Sequence, residues 1–592
     1  MNTGPTDRPS QPSKPIKPLE TFTEQAINDW ISHLPLSDVD AACEAIQGLL
    51  RAVNMTDGLE CLERQRIVEQ IRPPTVSLQA MSSERYLRPH TLFPLPAATH
   101  KLTQRSVDVC LELANAYRRI VTSGTFFSDR VMNEAGRAQN IYRALQAYGL
   151  ALLRSLERYE PPPAGFWREV YCFYRFAEGH RLHNLNLPMP EIEGATVESQ
   201  FKQMVLLALS SHQHRSPDEI RQFYTVLMLI AKDAEIRKTV EAEGETALFY
   251  FDTGADNAPR PLKRAKQHIK GERRFVFTRL MLGNARRYFS NPAHRASDRF
   301  KLRAEVIMAL LETLASAEKR RFVRSSASGI RRFAVGLARL VDELAGAGPQ
   351  PLPPPELYEV SIQDEMPPVE EEDTDEVEIV LDQNGSREGR TEIWLKSQDS
   401  VYFNRQPSPA PVSVAESHGP AEASSNELSG SLLNISAGGY CLSWLNASVA
   451  GARVGELIGI YEEDHRIHVG AIRWLHHKAK AELVIGVELL SPLVEAVDIE
   501  TAPAGESPPR GLYFLANPRL GHPASLLCGP GVFKTGQAIL LRSKGERLRF
   551  RLESLLSTTL SFQLFSLAAW ADDHDPGKSP APARRAEQPF ED

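Results

Sequence analysis

The chain has 592 residues, which is too long for one hydrophobic core and predicts about three or four domains. Its composition is that of a globular protein, with 42% hydrophobic and 24% charged residues. The net charge of −7 gives no overall basic excess, so we do not expect nucleic-acid binding.

Six cysteines stand alone, without the CxxC or Cys/His spacing that is typical of a metal site. Most lie in apolar patterns, so we interpret them as reduced core residues, with a redox or metal role as the alternative. The N-terminus is polar and Pro-rich, unlike a signal peptide, and no apolar window approaches the ~18 residues of a spanning helix. We therefore predict a cytoplasmic protein with no cofactor and no membrane insertion.

Residues 1–19 are predicted to be a disordered tail, and residues 20–346 a large all-α region, because apolar residues recur there with helical spacing. One helix start is well marked, with Ser216 as N-cap, Pro217 in the first turn and Glu219 completing a capping box. Ser37 is a second predicted N-cap. The apolar runs 246–251 and 275–282 fit either a strand or a buried helix. Helices are predicted at about 102–122, 134–158, 166–178, 196–211, 217–232, 300–318 and 330–345.

A linker is predicted at residues 347–389, because this stretch is first Pro-rich and then acidic. Residues 356–382 contain twelve Asp or Glu and no Lys or Arg. Such a segment repels itself and stays extended, so we interpret it as a solvated spacer. Docking on a basic partner is the alternative.

Short β-rich runs separated by glycine and charged turns follow residue 390, spaced as in a small barrel or sandwich. They include SGSLLNISAGGYCLSWL, VGELIGIYEED, RIHVGAIRWLHH and ELVIGVELL. A second set predicts a further small β-rich module at 508–571, and residues 572–592 are predicted to be a disordered tail. The fold class is therefore multidomain α + β.

One hexapeptide in these runs, Asn434-Ile435-Ser436-Ala437-Gly438-Gly439, has the pattern [DN]xSxxG. It is followed by the runs GAIRW and IGVELL. In this order the three segments resemble the PilZ domain, a six-stranded antiparallel β-barrel found in bacterial regulators. The resemblance covers about one sixth of the chain, and we place the barrel at residues 390–497.

The resemblance to PilZ domains implies recognition of cyclic di-GMP. In that family an RxxxR segment ahead of the barrel supplies arginines that stack on guanine and bind phosphates, as guanidinium groups do well. Here the nearest candidates ahead of the hexapeptide are Arg387 and Arg390, spaced RxxR, and the lone Arg405. Half of the arginine signature is therefore expected to be missing or displaced.

The remaining ligand-binding candidates lie in the hexapeptide and in a later strand. Asn434 and Ser436 offer short donors and acceptors, and Gly439 allows a close backbone approach or a positive φ. Arg473 either faces the ligand or covers the barrel wall with its aliphatic stem. The alternative for the whole hexapeptide is a turn or bulge in a barrel that binds no nucleotide.

Two other constellations allow a function but favour a structural role. Four histidines, His465, His468, His476 and His477, have only Asp464 nearby, so a metal site is not expected. Two basic runs are interpreted as solvated helix faces, with partner docking or nucleic acid as alternatives. These runs are Arg260, Lys263, Arg264, Lys266, Lys270, Arg273 and Arg274, and Lys319, Arg320, Arg321, Arg324, Arg331 and Arg332.

The sequence contains no P-loop, GxSxG or HExxH motif, so we do not expect an enzyme. The function we expect is bacterial signalling, in which the PilZ-like domain binds cyclic di-GMP and relays binding through a helical protein-interaction domain. The alternative is a scaffold or adaptor that acts only through protein–protein contacts.

Limited proteolysis should cut first within residues 349–390, because an extended acidic backbone has little to bury. The fragments would be identified by mass spectrometry. First cuts inside residues 430–490 would contradict the predicted two-part organisation.

Overall fold

The computed structural model describes residues 22–570, apart from a set of short segments and one long one. The gaps are 190, 191, 193, 241–248, 263–271, 292–298, 316–324, 347–427, 437, 445–450, 463–465, 479–481, 492, 501–507, 517–522 and 544–545. The described residues form two units. One comprises residues 22–315 and 474–483, and the other 325–346, 428–473 and 484–570.

The first unit is mainly helical, and its apolar stripes build the core. Its helices are α1 (Glu24–Ser32), α2 (Val39–Met55), α3 (Cys61–Tyr86), α4 (Ala97–Val121), α5 (Glu134–Leu156), α6 (Phe166–Gly179), α7 (Val197–Ala208), α8 (Pro217–Ile230), α9 (Arg279–Ser290) and α10 (Ala304–Ala315). The predicted helices from 102 to 232 and the one at 300–318 are confirmed to within a few residues.

The helix starts show which cap predictions hold. The capping box of α8 is confirmed, because the Ser216 side chain accepts from the Glu219 amide and the Glu219 carboxylate accepts from the Ser216 amide. The cap of α2 was predicted one residue too early. Asp38, rather than Ser37, accepts from the Ala41 amide through its side chain. Two acceptors were adjacent in the sequence, and the carboxylate is the better partner for a helix N-terminus.

The two ambiguous apolar runs contribute to a small antiparallel sheet within the helical unit. Its strands are β1 (Glu235–Arg237), β2 (Phe249–Asp252), β3 (Arg260–Pro261) and β4 (Arg273–Phe277), in the order β1-β4-β2-β3. The second run therefore divides into a strand and the start of α9.

A first barrel uses strands from both sides of residues 347–427. Its strands are β5 (Ser325–Ser326), β6 (Ile330–Val335), β7 (Leu428–Ser436), β8 (Gly439–Trp444), β9 (Leu457–Tyr461), β10 (Ile467–Lys478) and β11 (Glu482–Ser491). The order β7-β6-β9-β10-β11-β8 closes into a ring because β8 also pairs with β7, and β5 extends it beside β7. The six-stranded antiparallel barrel is confirmed.

A closed second barrel follows, with the order β12-β13-β14-β17-β16-β15. Its strands are β12 (Val494–Glu500), β13 (Arg510–Phe514), β14 (Ser525–Cys528), β15 (Ala538–Ser543), β16 (Glu546–Thr558) and β17 (Gln563–Ala569). This barrel is the predicted C-terminal β-rich module, and its first strand lies across the boundary that we expected at residue 497.

The periodicity predicted one helix at residues 330–345, but the structure has β6 followed by α11 (Leu337–Gly346) there. Gly336 separates the two elements with a φ of +94°. β6 pairs with β7 and β9, whose residues are distant in sequence, so local periodicity could not reveal the strand. The unit boundary therefore falls before residue 325 rather than at 346.

Helix α11 joins both barrels through a shared apolar core. Leu340 and Val341 are buried there with residues from the first barrel, such as Val469, and the second, such as Leu512. Gly459 permits this packing, since a Cβ there would lie 2.3 Å from Leu340 Cδ2. A hydrogen bond of 2.5 Å from Arg510 to Asp342 adds a polar contact between α11 and β13.

All six cysteines are buried and free, which confirms their interpretation as core residues. Burial raises the pKa of the Cys43 thiol to about 11 and that of Cys528 to about 12. These thiols therefore stay protonated at neutral pH, and protonated thiols are poor nucleophiles.

Leu340→Ala should lower the free energy of unfolding by about 2–5 kcal/mol, since it removes a fully buried side chain from the shared core. Urea unfolding measures the loss. Leu560→Ala removes the same atoms from a side chain that is 45% exposed and serves as the matched control. Equal losses would show that α11 does not stabilise the barrel unit.

Candidate functional site

Asn434 and Ser436 lie on one outer face of the first barrel. The side chains of Tyr440 and Trp444 on β8 point into the barrel. Tyr440 shows this, because it bonds to Glu462, which follows β9, and β9 lies across the ring from β8. Their alternate Cys441 therefore points outward, as does Asn434, which is paired with it. Ser436 lies two residues further along β7, opposite Gly439.

The short strand β5 forms one border of this outer face. Ser326 pairs with Asn434, and Ser325 pairs with Ile435. The Ser436 hydroxyl donates to the Gly439 carbonyl at 3.4 Å. Short polar side chains from two neighbouring strands thus lie side by side on this face.

Gly439 allows the turn of this motif to lie against β11. A Cβ at position 439 would lie 1.9 Å from the Val487 carbonyl oxygen, and φ is +150°. Beside it, the Leu489 amide donates to the Gly438 carbonyl at 2.9 Å. Close approach and positive φ, both anticipated from the sequence, therefore occur together at this residue.

The structure places Arg473 on β10, where it binds a carboxylate of the neighbouring strand. Both Nε and a terminal guanidinium nitrogen lie 2.5 Å from Glu488 Oε2. Glu488 follows Val487, the residue against Gly439, so Arg473 lies one strand beyond the motif. This pairing favours the structural reading of Arg473 over a ligand contact.

Arg387, Arg390 and Arg405 lie outside the described residues. The topology, however, changes where an arginine segment should be sought, because the barrel begins with β5 and not after residue 390. Directly ahead of Ser325 the sequence reads Arg320-Arg321-Phe322-Val323-Arg324, an RxxxR. This segment lies far ahead of the hexapeptide in sequence, and the expectation that this half of the signature is missing or displaced stays a prediction. These residues also lie outside the described part of the chain.

A layer of polar side chains crosses the barrel interior beneath the motif. The Tyr440 hydroxyl lies 2.8 Å from Glu462 Oε1 and 2.6 Å from His468 Nδ1. Arg331 of β6 lies 3.7 Å from the second oxygen of Glu462. Burial, together with the Glu462 carboxylate, raises the pKa of Tyr440 well above its ordinary value, so the hydroxyl keeps its proton. Sequence reasoning missed this layer, although Tyr440, Leu442 and Trp444 alternate as inward residues do.

The described members of the two basic runs are strand residues with partners in the same chain. Arg274 donates to Glu178 at 3.0 Å, and Arg273 lies over the ring of Tyr250. Arg332 stacks on Tyr461 at 4.6 Å. For these residues, the interpretation as solvated helix faces was wrong, since β4 and β6 carry them.

In the part of the chain that the structure describes, no group of three or more His, Cys, Asp and Glu side chains could hold a metal. His468 binds Tyr440, and His465 is not described. Among the helices that the structure describes, none combines the length and the hydropathy of a membrane span.

Comparisons with known proteins agree with this geometry. Residues 248–495 match the model of the "Cyclic-di-GMP receptor FimW, middle PilZ domain". This range contains the first barrel and its hexapeptide. The prediction of a PilZ domain is therefore confirmed for this part of the chain.

The flanking regions match two further models of the same receptor. They are its N-terminal domain, at residues 25–241, and its C-terminal beta-barrel domain, at 497–569. The chain is similar to the "Cyclic-di-GMP receptor FimW" of Pseudomonas aeruginosa, with 23% identity over 590 residues, covering 96% of this chain and 94% of that protein. No solved structure matches the chain significantly.

Gly439→Ala should destabilise the protein more than Gly531→Ala, because only the first adds a clash with backbone. Gly531 has a φ of +74° and nothing within 4 Å of the added Cβ, so its cost should be about 1 kcal/mol. Overpacking at Gly439 should add about 1–3 kcal/mol. Urea unfolding compares the two variants, and equal costs would contradict the close approach to Val487.

Proposed function

We propose that this chain is a cyclic di-GMP receptor whose ligand binds the outer face formed by Asn434, Ser436 and the turn at Gly439. The observation that carries the proposal is that β5, Asn434 and Gly439 lie together on one face. In the chain, β5 comes directly after an RxxxR segment. The receptor description of the relative that aligns along almost the whole chain supports a binding protein rather than an enzyme.

The arginines of the site are proposed to be Arg320 and Arg324. Arg324 is covalently attached to Ser325, which pairs with Ile435 of the motif strand. Arg390 and Arg405 precede Leu428, the first residue of β7, by 38 and 23 residues. Because the entropic cost of closing a flexible loop grows with its length, the nearer segment is held at the site at lower cost. Arg387, Arg390 and Arg405 remain the alternative arm.

Each side chain has a distinct role in this proposal. The guanidinium groups stack on the guanines and bind phosphates bidentately. The Asn434 amide and the Ser436 hydroxyl bind polar edges of the ligand, and the absence of a side chain at Gly439 lets the backbone approach it. Arg473 contributes through Glu488, since that carboxylate already binds its guanidinium.

The relay of binding is the second part of the proposal. Ligand binding would order the arginine arm and shift its population toward one conformation, which changes the surface offered to a protein partner. A protein-binding helical region and a cytoplasmic location remain predictions.

Saturating cyclic di-GMP should stabilise the full chain by about 2.7 kcal/mol at a hundredfold excess over Kd, by mass action. Thermal melts with and without the ligand measure this. Ser436→Ala and Asn434→Ala should melt almost as the wild type does without ligand, and should lose the ligand-induced shift. If the ligand does not shift the melting of the wild type, the receptor function is contradicted and the scaffold function remains.

The same melts distinguish the two arginine arms. The double variant Arg320→Ala/Arg324→Ala should lose the shift, since each charged hydrogen bond contributes about 1.5–3 kcal/mol. Arg390→Ala/Arg405→Ala removes the same charge and should keep it. The reverse result would assign the arm to the later arginines.

A further inference from the structure

The polar layer inside the first barrel lies directly beneath the proposed ligand face. Tyr440 is the residue after Gly439, so its backbone forms part of the turn while its side chain enters the interior. In the ring of six strands, β8 is separated from β9 by two strands on either side. The Tyr440–Glu462 bond therefore spans the barrel.

The protons of this layer have one consistent arrangement. The Glu462 carboxylate can only accept, so the Tyr440 hydroxyl donates to it at 2.8 Å. His468 then donates its Nδ1 proton to the Tyr440 oxygen at 2.6 Å. The bond from Tyr440 to the Glu462 carboxylate is charge-assisted and largely buried, so it fixes the geometry more firmly than a neutral surface bond does.

Glu462 also contacts the side of the barrel on which β5 and β6 lie. Its second oxygen lies 3.7 Å from Nε of Arg331, and the side chains of Glu462 and Arg331 are 19% and 17% exposed. Arg331 belongs to β6, which is separated by only three residues from β5, the strand beside Asn434. One carboxylate thus holds the turn after Ser436 and the strand that follows the arginine segment.

We propose that Tyr440, Glu462 and Arg331 are positioning residues of the nucleotide site, which set the distance between the motif turn and the strands β5 and β6. The inference rests on the proposed function. The side chains point inward, away from the face with Asn434 and Ser436, so they act on affinity through the backbone and not by touching the ligand.

Tyr440→Phe tests this role, because it removes one hydroxyl and keeps the ring. At a temperature where the variant is folded, isothermal titration of the full chain should show cyclic di-GMP affinity reduced about tenfold, which corresponds to roughly 1.4 kcal/mol. Hydrogen exchange of the peptide covering 435–441 should become faster, since the turn is no longer tied to Glu462.

Ser566→Ala is the matched control in the same unit. The Ser566 hydroxyl is buried in the second barrel and lies 2.8 Å from that of Ser554, so its loss also removes a hydrogen bond. This variant should melt at a lower temperature with unchanged affinity and unchanged exchange at 435–441. Equal loss of affinity in both variants would mean that general destabilisation is responsible, and would overturn the positioning role.

Glu462→Gln provides a second test should Tyr440→Phe fail to fold. It keeps the size and an acceptor oxygen for Tyr440 but removes the charge that attracts Arg331, so affinity should decrease about fivefold or more. Wild-type affinity in a folded Tyr440→Phe or Glu462→Gln variant overturns the inference and leaves the receptor function intact. A wild type that binds no cyclic di-GMP overturns both.

Discussion

The carbonyl of Val487 lies where a side chain at position 439 would project, and closure of the first barrel depends on this contact. Strand β8 must pair with β7 on one side and with β11 on the other. At its first residue three backbones converge, and only glycine leaves the space. The same requirement holds the turn in place and presents Asn434 and Ser436 on the outer face. The final glycine of the hexapeptide is therefore needed by the fold, whatever ligand the face binds.

The first barrel is assembled from strands on both sides of a segment of 81 residues, 347–427. Helix α11 lies just before the insertion, and its leucines complete a core shared with the second barrel. Burial of Leu340 and Val341 there holds β6, which directly precedes the helix, against the rest of the unit.

Local patterns predicted the helices from 102 to 232 because their caps and apolar stripes are contained in the segments themselves. The same reasoning failed at 330–345, where Phe333, Ala334 and Val335 fit a helical stripe but pair with strands far along the chain. The RxxxR of Arg320 and Arg324 directly precedes in sequence the strand that pairs with Asn434, a pairing that depends on the folded barrel.

Of the candidate site, the hexapeptide was predictable because its chemistry lies in six consecutive residues. The partner of Arg473 was not, since Glu488 is fifteen residues away and its register depends on the folded hairpin. The interior contact between Tyr440 and Glu462 was equally hidden. It joins strands that are not neighbours, and only a closed ring brings them together.

The two-sided origin of the first barrel has a consequence for how the protein can be divided. A fragment that starts after the insertion lacks β6, which pairs with β7 along one side and with β9 along the other. Both strands would then become open edges with unpaired amides and carbonyls, and Phe333 would no longer cover Trp444. Open, apolar edges are templates for pairing with another chain. Such a fragment would be prone to self-association, and its failure to bind a nucleotide would carry no information about the full chain.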